Sequence, residues 1–132
     1  MDRAFMKQAS EWFDRGRNDI ETAQLLYDNN GHADSIAYHI QQTLEKYLKG
    51  YLVLHGKNPP HIHELDVLIN RIAVFDDSFV KFLDLCEKAS RYYLQDRYPP
   101  GPLVEYDYED IKSDLEKAWE MIRYIQTKMV TS

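Results

Sequence analysis

Apolar residues in this chain recur at steps of three and four, and no stretch alternates apolar and polar long enough to make a strand. The clearest run lies between Gly31 and His63, where Ile36, Ile40, Leu44, Tyr47, Leu48, Tyr51 and Leu52 line one side of a helix expected from about Ala33 to His55. Gly56 stops that helix, and Asn58-Pro59-Pro60 forbids its continuation, because proline lacks the amide hydrogen and restricts the residue before it.

The same period predicts the other elements. Phe5, Ala9, Trp12, Phe13, Ile20, Ala23, Leu26 and Tyr27 form one stripe on a first helix from about Arg3 to Asn29. Asn29-Asn30-Gly31 then tolerates the positive φ that turns a chain at a helix end, so the first two helices make an antiparallel hairpin. A shorter helix, about His63 to Phe75, carries Leu65, Leu68, Ile69 and Ile72 inward. A fourth is expected from Ser78 to Gln95, capped by oxygens of Asp76-Asp77-Ser78, with Phe79, Phe82, Leu83, Cys86, Ala89, Tyr93 and Leu94 on its stripe. Pro99-Pro100-Gly101-Pro102 excludes regular structure, and a last helix from Tyr108 to Met129 buries Ile111, Leu115, Ala118, Trp119, Ile122 and Ile125. Glu109 and Asp110 in its first turn and Lys128 near its end suit the helix dipole. The expected fold is all-α: an antiparallel up-and-down bundle of four long helices plus one short helix, forming one domain over residues 1–132.

Composition narrows the function classes. At 44% hydrophobic and 29% charged the chain is an ordinary globular one, and a formal charge of -6 gives no long-range attraction for nucleic acid. No run approaches the roughly 18 apolar residues needed to span a bilayer, and the N-terminus has no signal-peptide core. The single Cys86 lies on an apolar stripe and reads as a buried reduced thiol, so a cytoplasmic setting is expected.

Familiar catalytic motifs are absent. His63-Glu64-Leu65-Asp66-Val67 has valine where a zinc-protease helix needs its second histidine, and no metal site or cofactor is expected, although His55, His61 and His63 could form an adventitious nitrogen cluster. In the bland reading His63 stabilises the start of the third helix. There is no glycine-flanked nucleophile, P-loop or dinucleotide fingerprint, and the acidic group Glu105, Asp107, Glu109 and Asp110 reads as helix-start chemistry. Two candidate elements remain. One is the polar flank of the second helix: His39, Gln42, Glu45, Lys46 and Lys49. The other closes the fourth helix with Arg91, Tyr92, Tyr93 and Arg97-Tyr98-Pro99, where Arg97 stands at a proline-fixed corner suited to a carboxylate or phosphate. The tyrosines there either stack on a base or simply pack.

Taken together, the run Tyr38-His39-Ile40-Gln41-Gln42-Thr43-Leu44-Glu45-Lys46-Tyr47-Leu48-Lys49, the proline turn, His63-Glu64-Leu65 and Arg97-Tyr98-Pro99 resemble the HEPN domain family (higher eukaryotes and prokaryotes nucleotide-binding). The resemblance covers nearly the whole chain. It implies a homodimer, a possible nucleotide ligand held by His39, Gln42, Glu45, Lys46, Lys49, Arg91 and Arg97, and often a neighbouring minimal nucleotidyltransferase as partner in a prokaryotic toxin–antitoxin pair. Many members are metal-independent ribonucleases whose motif is an Arg followed, after four to six residues, by a His. No arginine here has a histidine at those offsets. That mechanism needs the imidazole as acid or base and the arginine to stabilise developing phosphate charge, so the resemblance points to a noncatalytic or nucleotide-binding branch. The alternatives are an RNase toxin with a diverged site built on His39 and Arg91 or Arg97, acting on RNA, and a purely structural dimer.

Overall fold

The computed structural model describes residues 2–92 and 106–130. These form helices α1 (Arg3–Asp28), α2 (Ala33–Leu54), α3 (Leu65–Ala73), α4 (Leu83–Ser90) and α5 (Tyr108–Val130), with a 3₁₀ segment (Asp77–Phe82) leading into α4. Among the described residues there is no strand, and no helix is long and apolar enough to cross a membrane.

Both expected helix stops are Schellman turns. After α1, Asn30 takes a φ of 57° and Gly31 N donates to Leu26 O at 2.6 Å. After α2, Gly56 takes a φ of 74° and Lys57 N donates to Leu52 O at 2.9 Å.

The α1–α2 pair is held by two aromatic rings seated on glycines. A Cβ on Gly16 would lie 2.6 Å from the Tyr47 ring, and one on Gly50 would lie 2.5 Å from the Phe13 ring. Phe13 and Tyr47 also stack, with centroids 5.3 Å apart. Position 13 therefore sits opposite 50 and 16 opposite 47, the falling register of antiparallel helices. Trp119 Nε1 donates to Gln24 Oε1 at 2.9 Å, bringing α5 onto α1. Helix α4 runs antiparallel to α5: Ser78, just before it, meets Tyr124, while Tyr92, just after it, donates to Asp114 Oδ2 at 2.8 Å. Helices α1, α2, α4 and α5 thus alternate in direction as expected, with α3 added beside α2. Helix α2 is the axis of the bundle, packing against α1, α3, α4 and α5 and buried along most of its length.

The fourth helix departs from expectation at its start. Asp76 Oδ1 accepts from Ser78 N at 3.2 Å, as the cap was meant to, but the chain winds first as a 3₁₀ helix. Its three-residue period eclipses Phe79 and Phe82, and both are buried. The α-helical part ends at Ser90; the expected continuation to Gln95, with Tyr93 and Leu94, lies outside the described residues, as do Arg97, Tyr98, the proline corner and Glu105.

Candidate functional site

On α2 the residues at 39, 43 and 46 share the face turned toward α1, where Asp19 stands on the inward stripe of Gly16, Ile20 and Ala23. Asp19 is only 9% exposed. Its Oδ1 lies 2.9 Å from His39 Nδ1, and its Oδ2 accepts from Lys46 Nζ at 2.5 Å. Burial alone would raise the pKa of this carboxyl, but the hydrogen bonds from His39 and Lys46 outweigh it and hold the value below the ordinary 3.8. An ionised carboxylate only accepts, so His39 Nδ1 carries the hydrogen and Nε2 is the open ring position. Thr43 Oγ1 donates to His39 O at 2.7 Å, steadying the same turn.

A second network lies on the other side of α2. Glu45 Oε1 accepts from Gln41 Nε2 at 3.0 Å, Glu45 Oε2 accepts from Lys49 Nζ at 3.1 Å, and both oxygens lie within 3.2 Å of His63 Nδ1. Gln42 Nε2 donates to Gln41 Oε1 at 2.6 Å. Glu45 and Lys49 are 7% and 6% exposed and Gln41 is fully buried, so this is an interior polar cluster and not a solvated flank. Lys49 Nζ also sits 5.8 Å from the Trp12 ring centroid, a cation–π contact that joins the cluster to α1.

The sequence-derived candidates therefore divide. His39 and Lys46 converge on Asp19; Gln42, Glu45 and Lys49 belong to the Glu45 cluster. Arg91 is exposed in the turn closing α4. The preceding Ser90 Oγ accepts from Leu65 N at 2.9 Å, which brings that turn to the start of α3, two residues from His63. Arg97 falls outside the described residues. The His63 ring reaches back to Glu45, and Ser90 supplies the oxygen for Leu65 N, the first amide of α3. Tyr92 is a packing residue, buried against Tyr106 and bonded to Asp114, and burial with that bond pushes its phenol pKa up.

The sequence reading missed Asp19, and it named Gln41 and His63 without their place in the Glu45 network. Asp19 had a visible signal, a carboxylate at a position in helical step with Gly16, Ile20 and Ala23, since acidic residues are rarely buried unless paired. The pairing of Gln41 and His63 with Glu45 had none, because it depends on which segment covers the second face of α2. Among the described residues no group of three or more His, Cys, Asp or Glu is placed to hold a metal ion. His55 packs with its ring tilted against those of Tyr51 and Phe75.

Chemically, the Asp19–His39 pair is the arrangement of an oriented imidazole with one nitrogen available for proton transfer. The Glu45 cluster is a compensated charge group whose two oxygens are both occupied.

A family model described as HEPN domain matches residues 9–128. The chain is also 28% identical to "Putative toxin MJ1304" of Methanocaldococcus jannaschii, over 134 residues that cover 92% of this chain and 88% of that protein. No solved structure matches it significantly.

Proposed function

This chain belongs to the HEPN domain family, and on that premise we propose that it is one component of a prokaryotic toxin–antitoxin pair. In this reading it is a dimeric cytoplasmic module that binds a nucleotide and docks a minimal nucleotidyltransferase encoded nearby. The observation that carries the proposal is the similarity, along nine-tenths of the chain, to the protein named "Putative toxin MJ1304". Binding is preferred to catalysis because the Arg and His pair of the family's ribonucleases is missing.

Co-expression with the adjacent genes tests this directly. The tagged chain should elute as a dimer, carry a nucleotidyltransferase with it, and melt at a higher temperature with ATP or GTP than without. A monomer that retains no partner and ignores both nucleotides would sink the proposal.

One observation favours a second reading, an RNase toxin with a diverged site. Asp19 orients His39 with Nε2 open, as a general acid or base requires. Expression of the chain alone would then slow growth and cleave cellular RNA, and His39→Ala would abolish both effects. Unimpaired growth with intact RNA removes this reading.

A further inference from the structure

Several phenols in this bundle are held against losing their proton. Tyr51 and Tyr92 donate straight to carboxylates, Asp76 Oδ2 at 2.7 Å and Asp114 Oδ2 at 2.8 Å. A phenolate there would face a second negative charge, and burial together with that contact pushes both values up. Burial raises Tyr47 as well. Tyr124 is placed differently. Its hydroxyl donates to Ser78 Oγ at 2.5 Å, and Ser78 donates in turn to Asp76 Oδ1 at 2.5 Å. A neutral hydroxyl therefore stands between this phenol and the carboxylate.

Ammonium groups from two elements complete the setting. Lys81 Nζ, on the 3₁₀ segment, lies 3.4 Å from the centroid of the Tyr124 ring, and Lys128 Nζ, on α5, lies 5.2 Å from it. Lys128 also reaches Asp76 Oδ2 at 3.3 Å. The Ser78 hydrogen bond, then Lys128 and Lys81, outweigh burial and hold the Tyr124 phenol below its ordinary value. Phe79 and Phe82 pack on the same ring with centroids at 5.3 and 5.6 Å, which fixes its position. The residue is half-buried and forms part of the wall of a groove of about 530 Å³ between the 3₁₀ segment, the start of α4 and the second half of α5, so a small reagent can reach it.

This geometry makes a nucleophile. A hydroxyl becomes reactive when a neighbour can take its proton and when positive charge stabilises the oxygen left behind. Ser78 leads the proton away, and it can turn its own hydrogen back toward a phenolate. The same ammonium groups favour an electrophile whose reaction develops negative charge, both on the attacked carbonyl oxygen and on the departing group. An acyl phosphate meets both conditions.

We propose that Tyr124 is an acyl-acceptor site, modified on its phenolic oxygen by an acyl phosphate, and that the modification loosens α5 from the 3₁₀ segment. The phenolic oxygen forms a bond to the carbonyl carbon, and the bond from that carbon to the phosphate oxygen breaks. Phosphate leaves with the electron pair beside Lys81. The phenolic proton passes by way of Ser78 Oγ toward Asp76, which is 15% exposed at its side chain, and on to water. The ester oxygen that results has no hydrogen to donate to Ser78, so one of the bonds tying α5 to the segment before α4 is lost. The inference is independent of the nucleotide and partner reading above.

Timed labelling of the full chain with acetyl phosphate, read by peptide mass spectrometry before and after hydroxylamine, tests this. Hydroxylamine removes an acetyl group from a phenol and leaves it on a lysine. Tyr124 should take a hydroxylamine-labile acetyl about tenfold or more faster than Tyr27, Tyr38 and Tyr108, which are likewise half-buried. Lys81→Met, a change at an exposed position, should slow labelling of Tyr124 about tenfold while the chain melts as before. The acetylated chain should melt at a lower temperature, and hydroxylamine should restore the original value. Equal rates at the four tyrosines, label confined to lysines, or full-rate labelling in Lys81→Met overturns the site. An unchanged melting temperature after labelling overturns the loosening of α5. Labelling of Tyr124 by N-acetylimidazole, a donor with an uncharged leaving group, but not by acetyl phosphate overturns the donor class.

Discussion

Replacing Glu45 with alanine should damage this bundle more than most single changes on α2. The substitution removes the acceptor for Gln41 Nε2, Lys49 Nζ and His63 Nδ1 at once. His63 is 47% exposed at its side chain and can turn to water. Lys49, 7% exposed at its side chain, has little such recourse, and the fully buried Gln41 keeps only a long bond to His63 O at 3.5 Å. Breaking a buried ion pair from one side costs about 3–5 kcal/mol, and an orphaned buried amide about 1–3 kcal/mol. The two losses share one cavity and do not add fully, and the lysine stem can extend toward solvent, so a net loss of about 3–4 kcal/mol is expected. That is a large part of the roughly 5–15 kcal/mol typical of a domain. Urea unfolding followed by far-ultraviolet circular dichroism measures it as a lowered midpoint with an unchanged slope. The paired change Glu45→Leu/Lys49→Met removes both charges and should stay within about 2 kcal/mol of the original chain. The reasoning is refuted if Glu45→Ala loses less than about 1 kcal/mol, the range of an exposed pair, or if the paired change is as damaging as the single one.

Gly50→Ala should destabilise although alanine is the better helix former. The new Cβ would lie 2.5 Å from a Phe13 ring that is itself stacked on Tyr47, so overpacking of about 1–3 kcal/mol exceeds the propensity gain of about 1 kcal/mol; a raised melting temperature would contradict this crossing. Asp19 has a lowered folded pKa, so its stabilisation is complete above the unfolded carboxyl value of about 3.9 and disappears as pH falls through the folded value. Asp19→Asn should therefore lower stability at pH 7 and flatten its fall in acid, leaving the share from Asp76, whose pKa is also held down by Ser78, Tyr51 and Lys128 against the effect of burial; an unchanged acid limb in urea titrations argues against the pairing. Cys86 is fully buried and burial raises its thiol pKa, so a thiol reagent should modify it only at the rate of unfolding, and immediate labelling of the folded chain would show the site open.

Much of the scaffold was readable from one dimension. The stripes on α1, α2, α3 and α5, the turns at Asn30 and Gly56 and the cap at Asp76 all follow from residues within a few positions of one another, where helical period and backbone sterics decide the outcome. The candidate row on α2 was readable as a row but not in its meaning. Nothing local distinguishes Lys46, which reaches Asp19 across 27 positions, from Lys49, which stays on its own helix and pairs with Glu45. The 3₁₀ opening of α4 likewise follows from burying Phe79 and Phe82 together, and Gly16 and Gly50 show their purpose only beneath the rings of Tyr47 and Phe13. The sequence by itself determined which residues become helical and which faces turn inward, because those depend on short-range geometry. Tertiary structure alone decided that the polar flank divides into two compensated networks, because charges choose partners by distance in the folded bundle.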